Sequence, residues 1–288
     1  MANQIQIFKR SAFTVAFWIA GCSCGGDSER DPIVVRFAAR ANAAPIECIA
    51  PRVMLGNPPQ EMRIADFRLF VSDFRLVSAD GSERKMILDA DGKWQNENTA
   101  LLDFENAMGP CENGTKEINT TVRGSARAGT TTKIRFTVGV PFAQNHQLPT
   151  RADAPLNLGA MHWDWQAGYK FARVDLENAD GKSDWLIHLG STNCSSSAAS
   201  VAPITECAQP NRATITLPFD PERNTVVIDL ASLLVSSNLA FNTTGTGPGC
   251  MSGNNDPECA PLFTNLGLDP ATGLCANGCA AQTFFRTE

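Results

Sequence analysis

The stretch 133-KIRFTVGV-140 alternates without a break. Ile134, Phe136, Val138 and Val140 fall on one side, with Lys133, Arg135 and Thr137 on the other. Side chains two apart on an extended chain share a face, so this spacing predicts a half-buried β-strand. Three more stretches read the same way: 184-DWLIHLG-190, 213-ATITLPF-219 and 224-NTVVIDL-230. Between such segments lie turn-forming clusters, "DADG", "NADG" and "DPERN". Short strands at this spacing predict an all-β protein, an antiparallel β-sandwich. The segment after Asn242 is rich in Gly, Asn, Pro and Cys. It is expected to form a loop-rich, disulfide-stapled C-terminal region. One short helix is expected over residues 231–236.

Residues 66–78 hold a near repeat, "DFRLFVS" then "DFRLVSA". Phe67, Leu69 and Val71 share one strand phase, whereas Phe74 and Leu76 take the other. One strand can hold both sets only if a bulge near Ser72-Asp73 inserts a residue and resets the alternation. A helix would instead align Phe67, Phe70, Phe74 and Val77. The β-branched and aromatic content, with no cap before the segment, favours the bulged strand.

The N-terminus bears on the compartment. Lys9 and Arg10 precede an apolar run from Ser11 to Ala20, and then comes Ile19-Ala20-Gly21-Cys22. This order is that of an export signal over residues 1–21. The apolar run falls short of the roughly 20 residues needed to span a bilayer. Cys22 after Ala-Gly resembles a bacterial lipobox, which makes Cys22 the expected lipidation site and residues 22–31 a tether. Residues 32–288 are then one β domain. Ser23 stands where an inner-membrane retention signal places Asp, which points to an outer-membrane-anchored lipoprotein facing the periplasm.

The full chain has a net charge of −6, and loss of the signal removes two more positive charges. Nucleic-acid binding needs a basic footprint, which this balance excludes. Ten cysteines suit an oxidising compartment. With Cys22 and Cys24 set aside, eight remain: Cys48, Cys111, Cys194, Cys207, Cys250, Cys259, Cys275 and Cys279. Roughly a hundred connectivities are open to them. Short loops favour Cys194–Cys207, Cys250–Cys259 and Cys275–Cys279, leaving Cys48–Cys111. The paired CxxC spacing of a zinc ribbon is absent.

The chain has three histidines, His146, His162 and His188. The nucleophile elbow G-x-S-x-G and the phosphate-cradling GxxxxGK[ST] loop are both missing. No enzyme activity is expected. Imidazole suits copper, zinc and nickel, and copper(II) heads the divalent affinity series. No HxH or HxxxH spacing occurs, so a site drawing on these residues must be assembled in three dimensions. The stretch 161-MHWDWQAGYKF-171 gathers His162, Trp163, Trp165 and the chain's single tyrosine, Tyr169. On its own this cluster is better explained as aromatic core.

It does not stand alone. The pieces "IADFRLFVSDFRLV", "IRFTVGVPFAQNHQLP", "MHWDWQAGYKF", "HLGSTNC" and "PGCMSGNNDPECAPLFTNLGLD" occur in this order. Together they resemble the MbnP-like family of exported bacterial copper proteins, the methanobactin-associated and "metallo-mystery pair" four-Cys proteins with a Trp-x-Trp motif. The resemblance implies copper as cofactor. It also implies a di-haem c-type partner, related to cytochrome c peroxidases and MauG, that oxidises a tryptophan to kynurenine. Carried onto this sequence, the ligands are His146 of the Asn-His pair and His188 of His-Leu-Gly-Ser, with His162 the weaker candidate. The modified residue is Trp163 or Trp165, and Asp164 is a candidate to orient a ligand. Cys275 and Cys279 look like an addition to the family's cysteine set. The competing expectation is a structural or adhesive β-sandwich lipoprotein with no metal site, its aromatics serving as core.

Overall fold

The structure, a computed structural model, describes residues 1, 29–164, 167–181, 184–198, 200–253 and 255–288. The expected signal segment, with Cys22 and most of the tether, lies outside the described residues, as does Trp165. In chain order the strands are β1 (Arg30–Ala41), β2 (Ala44–Pro45), β3 (Val53–Leu55), β4 (Gln60–Val77), β5 (Glu83–Lys85), β6 (Ile87–Leu88), β7 (Thr99–Asp103) and β8 (Thr121–Arg127). They continue as β9 (Lys133–Val138), β10 (His162–Asp164), β11 (Gly168–Asn178), β12 (Asp184–Gly190), β13 (Ala213–Pro218), β14 (Thr225–Asp229), β15 (Gly249–Cys250) and β16 (Phe285–Thr287). Three short α-helices join them: α1 (Phe142–Asn145), α2 (Leu230–Leu234) and α3 (Cys259–Asn265).

Two sheets form an all-β sandwich. The smaller runs β16-β14-β1-β8-β6, with β2 on β1. The larger runs β13-β9-β4-β11-β12-β15 and carries β3, β5, β7 and β10 as further partners. Pairing is antiparallel, as expected, except for β1–β14 and β12–β15, which are parallel. Parallel neighbours need long crossovers, and here the chain takes them through the far sheet and the C-terminal region. The sheets meet over phenylalanines. Phe37 of β1 stands edge-on to Phe74 and Phe136 at 6.5 and 5.7 Å, and Phe285 of β16 meets Phe136 at 5.3 Å. Ile134, Phe136, Val138 and Val140 are all buried on this face. Each large apolar side chain buried in this way is worth about 1.5–3 kcal/mol.

Strand β4 is the spine, pairing with β3, β5, β7, β9 and β11. Its register against β9 slips between Ser72 and Arg75, and Asp73 takes φ +50°. This is the bulge read from the near repeat. It lets Phe67, Leu69, Val71, Phe74 and Leu76 all be buried. Helix α2 starts where Asp229 accepts backbone N–H groups from Ala231 and Ser232 at 3.2 and 3.3 Å.

The cysteines pair as Cys48–Cys111, Cys194–Cys207, Cys250–Cys259 and Cys275–Cys279. The C-terminal region does more than cover the sandwich. It supplies β15 to the larger sheet and β16 to the smaller, and α3 buries Leu262 and Phe263 near Val138, Val174 and Ile187. Among the described residues no helix is long and apolar enough to cross a membrane.

Candidate metal centre

Strand β9 leads straight into the first histidine. Gly139 hands its N–H to Phe70 at 2.9 Å, and the one-turn helix α1 follows, ending on His146. The turn is buried: Asn145 is wholly enclosed and His146 is 6% exposed. The ring of Phe142 stands edge-on to the imidazole at 5.4 Å.

Asn145 fixes this corner. Its Oδ1 accepts the Tyr169 N–H at 3.0 Å, which leaves Nδ2 facing Ser191 Oγ at 3.4 Å and His146 Nε2 at 3.3 Å. An amide Nδ2 only donates, so Nε2 of the neutral ring carries the lone pair. Gly168 permits the close approach, because a Cβ there would fall 2.4 Å from the Asn145 carbonyl oxygen.

His188 is held differently. On β12, Trp185, Ile187 and Leu189 are buried toward the core, and His188 lies on the opposite face with Leu186, as its strand phase predicts. Its Nε2 lies 2.8 Å from Asp175 Oδ1. A carboxylate on one imidazole nitrogen fixes the ring and leaves the other nitrogen for a metal. Asp175 also accepts from Arg173 Nη2 at 2.6 Å. Burial opposes ionisation of Asp175, but the hydrogen bonds from His188 and Arg173, with the Arg173 charge, outweigh it and hold the carboxyl below its usual range.

The chain of charges continues inward. Arg173 Nε reaches Asp66 Oδ2 at 3.1 Å, and Asp66 is doubly bonded to the buried Arg68. Arg68 Nη1 lies 3.7 Å from Glu105 Oε1. Glu105 accepts the backbone N–H groups of Ala107 and Thr115 at 3.0 and 2.5 Å. Asp103, directly across the sheet from Arg68, is fully buried. Burial and the neighbouring Glu105 carboxylate push Asp103 up to about 7.

The aromatic segment joins this region at β10. His162 pairs with Tyr169 across the strands, their rings 4.8 Å apart and near-perpendicular. Tyr169 donates its hydroxyl to the Leu156 carbonyl at 2.5 Å, and burial pushes its phenol up. Trp163 packs over Gly190, where an added Cβ would sit 2.5 Å from the indole Cζ3 and 2.9 Å from the Tyr169 carbonyl oxygen. Residues 188 and 190 share a strand face, so the indole lies on the same side of β12 as the His188 imidazole. Gly190→Ala is therefore expected to displace Trp163 and cost about 1–3 kcal/mol by overpacking. Urea melts and near-ultraviolet circular dichroism check this, and an unchanged aromatic spectrum at unchanged stability would refute it.

His146 also belongs to a group that could hold a metal. Its ligand atom and the sulfurs of Cys194 and Cys207 lie within 4.8 Å of one another, all buried. Those sulfurs are bridged, however, and the thiolate is the form that binds metal. Among the described residues, no such group of three includes His162 or His188. The residues that sequence reading missed are Asn145, Asp175 and Arg173. Asp164, offered from sequence to orient a ligand, is paired through its backbone to Gly168, while the carboxylate that meets His188 is Asp175. The only sequence signal for Asn145 was its place beside His146. For Asp175 the signal was an acid alternating with Arg173, whose meaning depends on strand pairing.

No curated protein matches the chain. A solved structure described as MbnP from Methylosinus trichosporium matches with a TM-score of 0.77 and 31% identity, over 90% of this chain and 98% of that one. The MbnP family model matches residues 30–252, a span that includes the three histidines, Trp163 and the Cys194–Cys207 bridge. The chain belongs to the MbnP family.

Proposed function

We propose that this is an exported copper-binding protein and not an enzyme. Its site is built from His146 and His188 beside the Trp163–Trp165 pair, and one of these tryptophans is oxidised to kynurenine by a di-haem c-type partner. The observation that carries the reading is the placement of Trp163 over Gly190, on the face of β12 from which the carboxylate-held His188 projects. The donor set suits copper. Two buried imidazoles are each oriented by a neighbour, His146 by Asn145 and His188 by Asp175. Imidazole is a good copper ligand, and second ligand atoms from a kynurenine would need no thiolate. In this reading His162 packs on Tyr169 and shapes the pocket rather than leading the coordination. The chain reaches the periplasm by its signal segment and is held at the outer membrane through Cys22.

Copper titration tests the site. His146→Ala and His188→Ala are each expected to weaken copper binding by more than about 100-fold, beyond the 10–100-fold typical of losing a supporting contact. Unchanged affinity in both variants removes the site. Intact mass of protein co-produced with the di-haem partner tests the modification, and unmodified Trp163 and Trp165 would sink that part. Export and anchoring are checked by lipid labelling of wild type and Cys22→Ala.

A further inference from the structure

The copper reading leaves the eight cysteines among the described residues bridged. A second donor set lies against the same histidine. Cys207 Sγ is 3.6 Å from His146 Nε2, and Cys194 Sγ falls within the same 4.8 Å cluster. We infer that the Cys194–Cys207 disulfide is a redox gate. Once a dithiol opens it, the two sulfurs and His146 Nε2 form a thiolate-based site for a soft ion, Cu(I).

Three observations support the gate. First, the imidazole presents the right atom. Nε2 is the ring nitrogen 3.6 Å from Cys207 Sγ, and its lone pair turns from the 3.3 Å contact with Asn145 Nδ2 to the metal when the site fills. Second, the bridge closes a surface loop and not the core. Between Cys194 and Cys207 the chain is mostly exposed, with Ile204 92% exposed. Third, the mouth of that loop is held without the bridge. Thr192 and Gln209 exchange backbone hydrogen bonds at 2.9 and 3.2 Å, Ala208 N–H reaches Asn193 O at 3.2 Å, and Asn211 Nδ2 reaches Gly190 O at 2.8 Å. Opening the S–S bond therefore leaves the two sulfurs close to His146. Among the described residues this is the one disulfide that forms a three-donor group with an imidazole.

The chemistry balances. A dithiol gives two electrons and two protons to the Cys194–Cys207 bond and becomes a disulfide itself, leaving two thiols. Cu(I) then displaces both thiol protons and binds two thiolates and the Nε2 lone pair, with no change in oxidation state. Soft thiolates select Cu(I), whereas the bridged form offers imidazole alone. The site depends on neither His188, nor kynurenine, nor a haem partner.

The test uses the wild-type full chain. The protein is treated anaerobically with dithiothreitol while folded, the dithiol is removed by gel filtration, and iodoacetamide alkylation of each cysteine is mapped by mass spectrometry with and without one equivalent of Cu(I). Cys194 and Cys207 are expected to become alkylatable after reduction. Cu(I) is expected to slow their alkylation at least about ten-fold, and His146→Ala to lose that protection. Resistance of the bridge to dithiothreitol in the folded protein, alkylation unaffected by Cu(I), or equal protection in His146→Ala would each overturn the site. His188→Ala separates the two readings. Reduced His188→Ala protein keeps Cu(I) protection if the gate is right, whatever happens to copper binding by the oxidised form.

Discussion

Replacing Arg68 with methionine is expected to cost the fold about 3–5 kcal/mol, the range for removing one partner of a buried ion pair. Arg68 is 1% exposed and lies in the middle of β4 with Asp66, Glu105 and Asp103 around it. Methionine fills much of the same space, so packing loss is small. What remains is three enclosed acids, of which Asp66 alone is bonded to another cation, Arg173, among the described residues. The loss should depend on pH. At acid pH Asp66 and Asp103, both raised by burial, can take up protons and no longer need the guanidinium, so the deficit shrinks toward pH 5 and is largest above pH 7. Urea melts of both proteins at the two pH values decide it. A deficit below about 1 kcal/mol at neutral pH, or one that grows on acidification, would rule the account out.

The second large effect concerns Asp103. Its carboxyl is raised from the ordinary 3.8 to about 7, with burial the leading cause and the Glu105 charge the next. A raised folded-state value means the native protein holds a proton that the unfolded chain has released. The associated stability is fully present below the unfolded value near 4 and is lost as pH rises through about 7. Linkage sets the slope at about 1.4 kcal/mol per pH unit over that window, so up to about 4 kcal/mol is at stake. Asp103→Asn cannot ionise; its Oδ1 can still accept from the Glu105 N–H, now 3.1 Å from Oδ1 of the acid, while its Nδ2 takes the place of Oδ2, now 3.2 Å from the Thr115 hydroxyl oxygen, and can donate to it. The stability of the Asn variant relative to wild type is therefore expected to improve steadily from pH 4 to pH 7 and then level off. A difference independent of pH would show that Asp103 titrates normally.

The two acid predictions rest on what the sequence conceals. "DFRLFVSDFRLV" showed its apolar phase and its bulge, since hydrophobic spacing is a local property of the chain. The charges at 66 and 68 in the same stretch looked like the solvent face. They are buried because β4 pairs with β11 and β7, which sets Asp66 beside Asp175 and Arg68 beside Asp103. Register between distant strands is not written in either strand alone. The same limit applies at the candidate metal centre. His146, His188 and the Trp-x-Trp motif were legible from motifs, and the close cysteine pairs from their short loops. Asn145 and Asp175 were not, because their roles arise only when α1 meets β11 and when β12 lies beside it. The β-sandwich was readable from alternation, whereas the parallel pairings β1–β14 and β12–β15 had no local signal.

The β1–β14 pairing also governs the order in which the molecule can be completed. Arg36 lies opposite Thr225, and β14 is in turn flanked by Phe285 to Thr287, with Thr225 bonded to Glu288. The larger sheet can assemble its centre earlier, since β4, β9 and β11 all lie between residues 60 and 178. The smaller sheet cannot, because its first-made strand has to wait for its last-made ones. Contacts this distant along the chain make for slow closure. While the chain folds, the edge of β1 that β14 will cover therefore stays open, and Arg36 and Arg40, both charged and spaced along it, discourage pairing with another chain until β14 arrives.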